Sequence, residues 1–244
     1  MKNIKIIIEY DGTNYAGWQK QKNAITIQGV IERALEQISG KHTKINGCSR
    51  TDAGVHAKAF VASFLTESSI PEDKFKYALN SKLPEDILVL SSEEVPLDFH
   101  ARYSSKGKTY SYTILNREAS IAIGRNYVCH FKKPLDICAM EESYKYLIGT
   151  HDFSAFKSSG SSVKNNIRTI TDINSKRYED IIKINISANG FLYNMARIIV
   201  GTLFDVGTQK IKPEQIEFIM DSKDRRNAGI SAPAKGLCLE KVFY

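Results

Sequence analysis

The residues best equipped for chemistry lie in one stretch, Gly47-Cys48-Ser49-Arg50-Thr51-Asp52-Ala53-Gly54-Val55-His56-Ala57. It brings a guanidinium, a carboxylate and an imidazole together with two glycines, which let a backbone turn tightly beside a ligand. Arg50 lies close enough in sequence to hold Asp52 ionised. Read alone, an Asp between Thr and Ala-Gly is also the residue of an ordinary turn. Other chemistries fail on spacing. Gly107-Lys108-Thr109 mimics the end of a phosphate-binding loop, but the earlier glycine position holds Arg102, and a strand-like pattern follows where a helix is required. The five histidines form neither H-E-x-x-H nor H-x-E with a downstream P-C-x-x-C, so zinc hydrolase and zinc deaminase readings drop out. His56 and His151 read as residues that satisfy hydrogen bonds. Cys48, Cys129, Cys138 and Cys238 contain no C-x-x-C pair and read as reduced thiols.

The elements that must position this stretch follow from hydrophobic period. Asn3–Tyr10 places Ile4, Ile6, Ile8 and Tyr10 on one side of a strand closed by Asp11-Gly12. Ile27, Val30, Ile31, Ala34, Leu35 and Ile38 make a helical stripe, with Thr26 as N-cap and Gly40 beyond the end. Strands are predicted over Thr43–Cys48 and Ala59–Leu65, with Ser49–Lys58 as the loop between them. A helix opened by Pro71 with Phe75, Ala78 and Leu79 on one face, then a strand at Ile87–Leu90, complete a β-α-β-β-α-β order.

The second half repeats that order. Lys108–Leu115 reads as a strand with Tyr110, Tyr112 and Ile114 on one side. A helix runs from Asp136 through Met140, Tyr144, Leu147 and Ile148 to a stop at Gly149. A polar loop over Ser158–Asn166 precedes strands at Thr169–Ser175 and Ile181–Ser187. A helix over Phe191–Val206, a shorter one opened by Pro213 and a strand over Leu237–Phe243 follow. The expected fold is α+β: two ferredoxin-like (RRM-like) pseudo-repeat halves, residues 1–103 and 104–244, sharing an antiparallel sheet with a central catalytic cleft. Asp98–Lys106 is the expected seam.

The chain has 244 residues, 42% of them hydrophobic and 25% charged, which excludes wholesale disorder and fibrous repeats. Its 34 Lys and Arg against 27 Asp and Glu leave +7, a balance that favours a polyanionic partner, with nucleic acid first. No apolar run approaches the roughly 18 residues of a membrane span, and the first residues read as a strand and not as an export signal, so a cytoplasmic protein is expected.

The Gly47–Ala57 stretch closely resembles the catalytic loop of the TruA family of tRNA pseudouridine synthases, and the resemblance runs along nearly the whole chain. Tyr10-Asp11-Gly12-Thr13, Gly17-Trp18-Gln19 and Thr26-Ile27-Gln28-Gly29 are similar to that family's N-terminal signature. Asp98-Phe99-His100-Ala101-Arg102 ahead of Lys108-Thr109-Tyr110-Ser111-Tyr112, then Gly149-Thr150-His151-Asp152-Phe153, fall in the family's order. So do Gly190-Phe191-Leu192 with Met195-Ala196-Arg197, and Ala232-Pro233-Ala234-Lys235-Gly236-Leu237. Ala196 stands where Val is expected, and Ile230-Ser231 where a hydrophobic residue and Thr are expected; neither touches a catalytic role.

The resemblance implies isomerisation of uridine to pseudouridine in the anticodon stem-loop of tRNA, at positions 38, 39 and 40, by a homodimer that needs no metal and no organic cofactor. It makes Asp52 the nucleophile, a role that suits a group able to attack C1′ or C6 and later leave. Tyr110 becomes the active-site tyrosine, stacking on the uracil and handling the C5 proton, while Tyr112 stays in the core. Arg197 lies among Met195, Ile198, Ile199, Val200 and Leu203, where a charge is costly unless paired, and Asp52 is its natural partner. Leu237 is expected against the target base and Arg50 against the RNA. The uridine must be flipped out of its stack, and phosphate contacts must offset that. Candidates are Arg50, Lys41, Lys44, Lys106, Lys108, Lys157, Lys164, Arg168, Arg225 and Arg226, with Trp18 and Tyr15 for stacking. The rival reading is a non-catalytic RRM-like RNA-binding module, but no strand carries the RNP1 pattern. A small-molecule acid–base enzyme would explain Asp52, Tyr110 and Arg197 but not the basic excess.

Overall fold

A computed structural model describes residues 1–160 and 163–244. Its elements in chain order are β1 (Lys2–Tyr10), α1 (Ile27–Ser39), β2 (Asn46–Gly47), β3 (His56–Thr66), α2 (Phe75–Asn80), β4 (Ile87–Val95), β5 (Gly107–Leu115) and β6 (Cys129–His130). There follow α3 (Ile137–Leu147), β7 (Gly149–Asp152), β8 (Ile167–Tyr178), β9 (Ile181–Ala188), α4 (Met195–Gly207), α5 (Gln215–Ser222) and β10 (Leu237–Phe243). The class is α+β. The chain divides into two compact units, Met1–Lys106 with Cys238–Tyr244, and Gly107–Leu237.

In the first unit β1 pairs antiparallel with both β3 and β4, and β2 lies on the far edge of β3, giving the order β4-β1-β3-β2. That is the split β-α-β arrangement of a ferredoxin-like fold. Ile4, Ile6, Ile8 and Tyr10 of β1 are buried, as the alternation requires, together with Phe60 and Phe64 of β3 and Phe75 and Leu79 of α2. The Phe64 and Phe75 rings meet edge to face at 5.5 Å. Helix α1 begins at Thr26, whose side chain accepts from the Gly29 N–H, and ends at Gly40 in the left-handed conformation.

Several boundaries depart from the sequence reading, each for a local reason. The strand expected over Thr43–Cys48 shrinks to two residues. The Ile45 backbone bonds to α1 side chains, its carbonyl accepting from Gln28 Nε2 at 3.3 Å and its N–H donating to Glu32 Oε1 at 3.4 Å. The start of the same β3 edge is taken by β10, which pairs in parallel through Cys238 with His56 and Leu239 with Ala57. The loop expected over Ser49–Lys58 consequently stops at Val55, because His56–Lys58 already belong to β3. After Pro71 the chain makes a 3-10 turn, Glu72–Lys74, before α2 starts at Phe75.

In the second unit β5 pairs antiparallel with β9, β9 with β8 and β8 with β7. The order β5-β9-β8 repeats the split arrangement of β1-β3-β2. Strands β6 and β7 were not expected: β6 is two residues long and pairs with Ile114 and Leu115, and β7 starts at Gly149 itself. Helix α3 is capped by Asp136, whose carboxylate accepts from the Ala139 N–H, but it ends at Leu147, leaving Ile148 extended and partly exposed. Helix α4 starts at Met195 and not at Phe191, since Asn194 is left-handed at φ 60° and cannot continue a right-handed turn. The loop expected over Ser158–Asn166 includes residues 161 and 162, which lie outside the described residues.

Candidate active site

In the first unit the Asp52 loop is fastened on three sides. The Tyr10 and Thr51 hydroxyls hydrogen-bond at 2.8 Å in a buried position. The Thr51 carbonyl accepts from the Trp18 N–H at 3.1 Å, and the Asp52 carbonyl accepts from the Val55 N–H at 3.2 Å, closing the turn. Gly17, at φ +86°, lies against this turn, and a Cβ there would strike the Thr51 carbonyl oxygen and come within 3.0 Å of the Asp52 carbonyl carbon. Any side chain at position 17 would therefore push the carboxylate-bearing residue away. His56 Nδ1 lies 3.1 Å from both the Gly12 N–H, from which it accepts, and an Asp11 carboxylate oxygen. Tyr10-Asp11-Gly12 and Gly17-Trp18-Gln19, far from Asp52 in sequence, are thus the packing partners of its loop. Thr51 and Tyr10 are residues whose role the sequence reading missed; the only signal was that both belonged to the shared motifs.

Arg50, expected to hold Asp52 ionised and to contact the RNA, takes a side-chain partner from another motif. Its Nε donates to Gln19 Oε1 at 2.9 Å, and its side chain is exposed. Trp18 and Tyr15, expected to stack on bases, are 3% and 7% exposed. Trp18 stacks on Phe60 with centroids 4.0 Å apart, and the Tyr15 hydroxyl bonds to Asp86, its pKa raised chiefly by burial. It is these contacts, and not low exposure alone, that commit the Trp18 ring and the Tyr15 hydroxyl to packing within the first unit.

In the second unit Tyr110 is 7% exposed, and its ring meets Phe191 edge to face at 5.0 Å, so Gly190-Phe191-Leu192 serves as its wall. Arg197, in the first turn of α4, donates from Nε to the Ala232 carbonyl at 2.7 Å and from a terminal nitrogen to Asn194 Oδ1 at 2.9 Å. The Ala232 N–H returns a bond to the Arg197 carbonyl at 3.0 Å. This close approach depends on Gly201, where a Cβ would collide with the Ile230 carbonyl oxygen. A few residues on, the Pro233 carbonyl accepts from the Tyr112 hydroxyl at 2.8 Å, and Gly236 packs on the Tyr112 ring. Residues 232–236 therefore tie Arg197 on α4 to β5, and Tyr112 is a buried strut, its pKa driven up mainly by desolvation. Leu237, which follows directly, is 5% exposed.

The basic candidates separate by environment. Lys108 is buried, so it belongs to the interior of β5 and not to a surface track. Lys157 Nζ donates to the Val163 carbonyl and to Asn166 Oδ1, at 2.9 and 3.0 Å. Lys41 pairs with Glu67 at 2.9 Å, Arg226 with Asp224 at 2.6 Å, and Arg225 donates to the Ala228 carbonyl. Arg168 donates to the Asn165 and Ile167 carbonyls, and partial burial lowers its pKa. Arg50, Lys44, Lys106 and Lys164 remain exposed. His151 bonds the Ile148 carbonyl at 3.0 Å, as a structural histidine does. Among the described residues no cluster of three or more His, Cys, Asp or Glu could hold a metal, and no helix is long and apolar enough to cross a membrane.

Each unit by itself thus brings residues of separate motifs together, around the Asp52 turn in the first and around Tyr110 and Arg197 in the second. A family model described as tRNA pseudouridine synthase matches residues 6–104 and 144–244. The chain is 58% identical over 244 residues to the protein named tRNA pseudouridine synthase A 2 of Clostridium perfringens, and 55% identical over 244 residues to tRNA pseudouridine synthase A of Clostridium acetobutylicum. In both cases 100% of each chain is covered. A solved structure described as a Cbf5-Nop10-Gar1 complex aligns with 96% of this chain and 57% of that one, at 10% identity and a TM-score of 0.38, too slight a likeness to support a conclusion. The chain belongs to the tRNA pseudouridine synthase family.

Proposed function

We propose that this synthase converts uridines 38, 39 and 40 of the tRNA anticodon stem-loop to pseudouridine, with Asp52 as nucleophile. The observation that carries the reading is the fastening of the Asp52 turn by Tyr10, Gly17 and Trp18, which fixes the backbone of one carboxylate-bearing residue on a rigid strand end. In this reading the target uridine flips out of its stack and its uracil lies on Tyr110 and Leu237. The carboxylate of Asp52 attacks, the N1–C1′ bond breaks, the uracil turns, and a C5–C1′ bond forms. Asp52 is expelled unchanged, the C5 proton leaves last through the Tyr110 hydroxyl as relay, and N1 gains a proton, so that no net proton is taken up or released. Arg197 supplies the guanidinium that keeps Asp52 ionised, and Arg50 contacts the RNA backbone. All the bonds made and broken lie between uracil, ribose and one carboxylate, so the scheme calls for no cofactor.

The test is tritium release from tRNA transcribed with 5-tritiated uridine, followed by mapping of the modified positions. Release accompanied by pseudouridine at 38–40 is the expected result; release with pseudouridine only elsewhere in the tRNA would overturn the positional assignment. We further propose that the enzyme works as a homodimer with one tRNA touching both subunits. Light scattering is expected to return twice the chain mass, and a monomer under assay conditions would refute this.

A further inference from the structure

Arg50 is the exposed end of a side-chain chain that begins inside the first unit. Glu32 and Gln28, both on the buried face of α1, are 2% and 6% exposed. Gln28 Nε2 donates to Glu32 Oε1 at 3.0 Å and to the Ile45 carbonyl at 3.3 Å, while Lys20 Nζ meets Glu32 Oε2 at 2.9 Å. With both of its amide protons engaged, Gln28 must turn its oxygen the other way. That oxygen accepts from the Lys20 N–H at 3.0 Å and, at a longer 3.5 Å, from Gln19 Nε2. The Gln28 N–H also donates to the Trp18 carbonyl at 3.0 Å. Gln28 therefore grips the residues on either side of Gln19 as well as its side chain, and the Gln19 oxygen is left facing Arg50 Nε at 2.9 Å.

We propose that Gln19 is a positioning residue for Arg50, holding the guanidinium by Nε so that its two terminal nitrogens face an RNA phosphate as a fork. The proposal rests on the reading of Arg50 as an RNA contact. A neutral acceptor suits this role because it orients the guanidinium without cancelling the charge that the phosphate needs, which a carboxylate at position 19 would do. Ordering Arg50 before tRNA arrives also removes the entropy loss of freezing a long side chain on binding.

The experiment is a double-mutant cycle on the full chain, with kcat and KM measured by tritium release from a tRNA transcript. Gln19→Met keeps the length and removes the acceptor; KM is expected to rise about 3- to 10-fold, the scale of one immobilised side chain, with kcat within about 2-fold. Arg50→Ala should raise KM further, and the double variant should match Arg50→Ala alone. Gln19→Glu restores the acceptor for Arg50 but pairs the guanidinium and gives up the donor to Gln28, so its KM should stay raised with the unfolding temperature near wild type, whereas a purely structural role would move the unfolding temperature and kcat with KM. Independent losses in the double variant, an unchanged KM in Gln19→Met, or full rescue by Gln19→Glu would each overturn the role of Gln19 while leaving Arg50 as an RNA contact. A wild-type KM in Arg50→Ala would remove the RNA-contact reading itself, and the role of Gln19 with it.

Discussion

Asp52→Ala is expected to lower kcat by on the order of 10⁴-fold or more while tRNA affinity stays within about 3-fold of wild type, because the covalent route is lost and the phosphate contacts are not. Three fastenings of the turn, Tyr10 with the Thr51 hydroxyl, Trp18 with the Thr51 carbonyl and Val55 with the Asp52 carbonyl, are made by atoms that alanine at position 52 keeps. In the proposed pairing the alanine leaves the Arg197 guanidinium without its carboxylate, so thermal unfolding is measured beside the rate as the control for folding. Single-turnover tritium release gives the rate, and a filter-binding titration gives the affinity. Residual turnover within 10²-fold of wild type, a loss that missing general acid–base assistance alone can explain, would deny Asp52 the nucleophile's role. A large loss of affinity would instead make it a binding residue.

Arg197→Lys should reduce kcat/KM by about 10²-fold, the scale of a catalytic group displaced by roughly 1 Å. The wild-type guanidinium already spends Nε on the Ala232 carbonyl and one terminal nitrogen on Asn194. A planar fork can make both bonds and still present charge in a third direction, which a single ammonium on a flexible stem cannot. If lysine turns to the Ala232 carbonyl its charge is lost to the role proposed for Arg197; if it does not, a partly buried carbonyl is left unpaired, at about 1–3 kcal/mol. The measurement is kcat/KM for Arg197→Lys beside Arg197→Ala, with thermal unfolding as the control for folding. Full activity in the lysine variant would take the guanidinium out of the mechanism.

Much of this architecture is legible from local pattern. The β1 alternation, the Thr26 cap and Gly40 end of α1, and the Asp136 cap of α3 depend on residues a few positions apart, so the chain states them directly. The boundaries that differ are those decided from a distance. Strand β2 is short because Gln28 and Glu32 take the Ile45 backbone and because β10 occupies the β3 edge, and neither contact has any trace in the residues around Asn46. Helix α4 starts late because one asparagine turns left-handed, a conformation its identity permits without announcing.

The site divides in the same way. Residue types and their spacing determined the reactive loop, the basic balance and the resemblance to a synthase family, since these are properties of the chain as a string. The tertiary structure alone decided which neighbours those residues have: Trp18 became a core ring under Phe60, Lys108 went inside β5, and Arg50 Nε took Gln19 as its partner. Proximity in sequence limits what two side chains can reach. Which partner each one takes depends on backbone brought in from elsewhere in the fold, here the Trp18–Lys20 segment gripped by Gln28, and no local pattern encodes that approach.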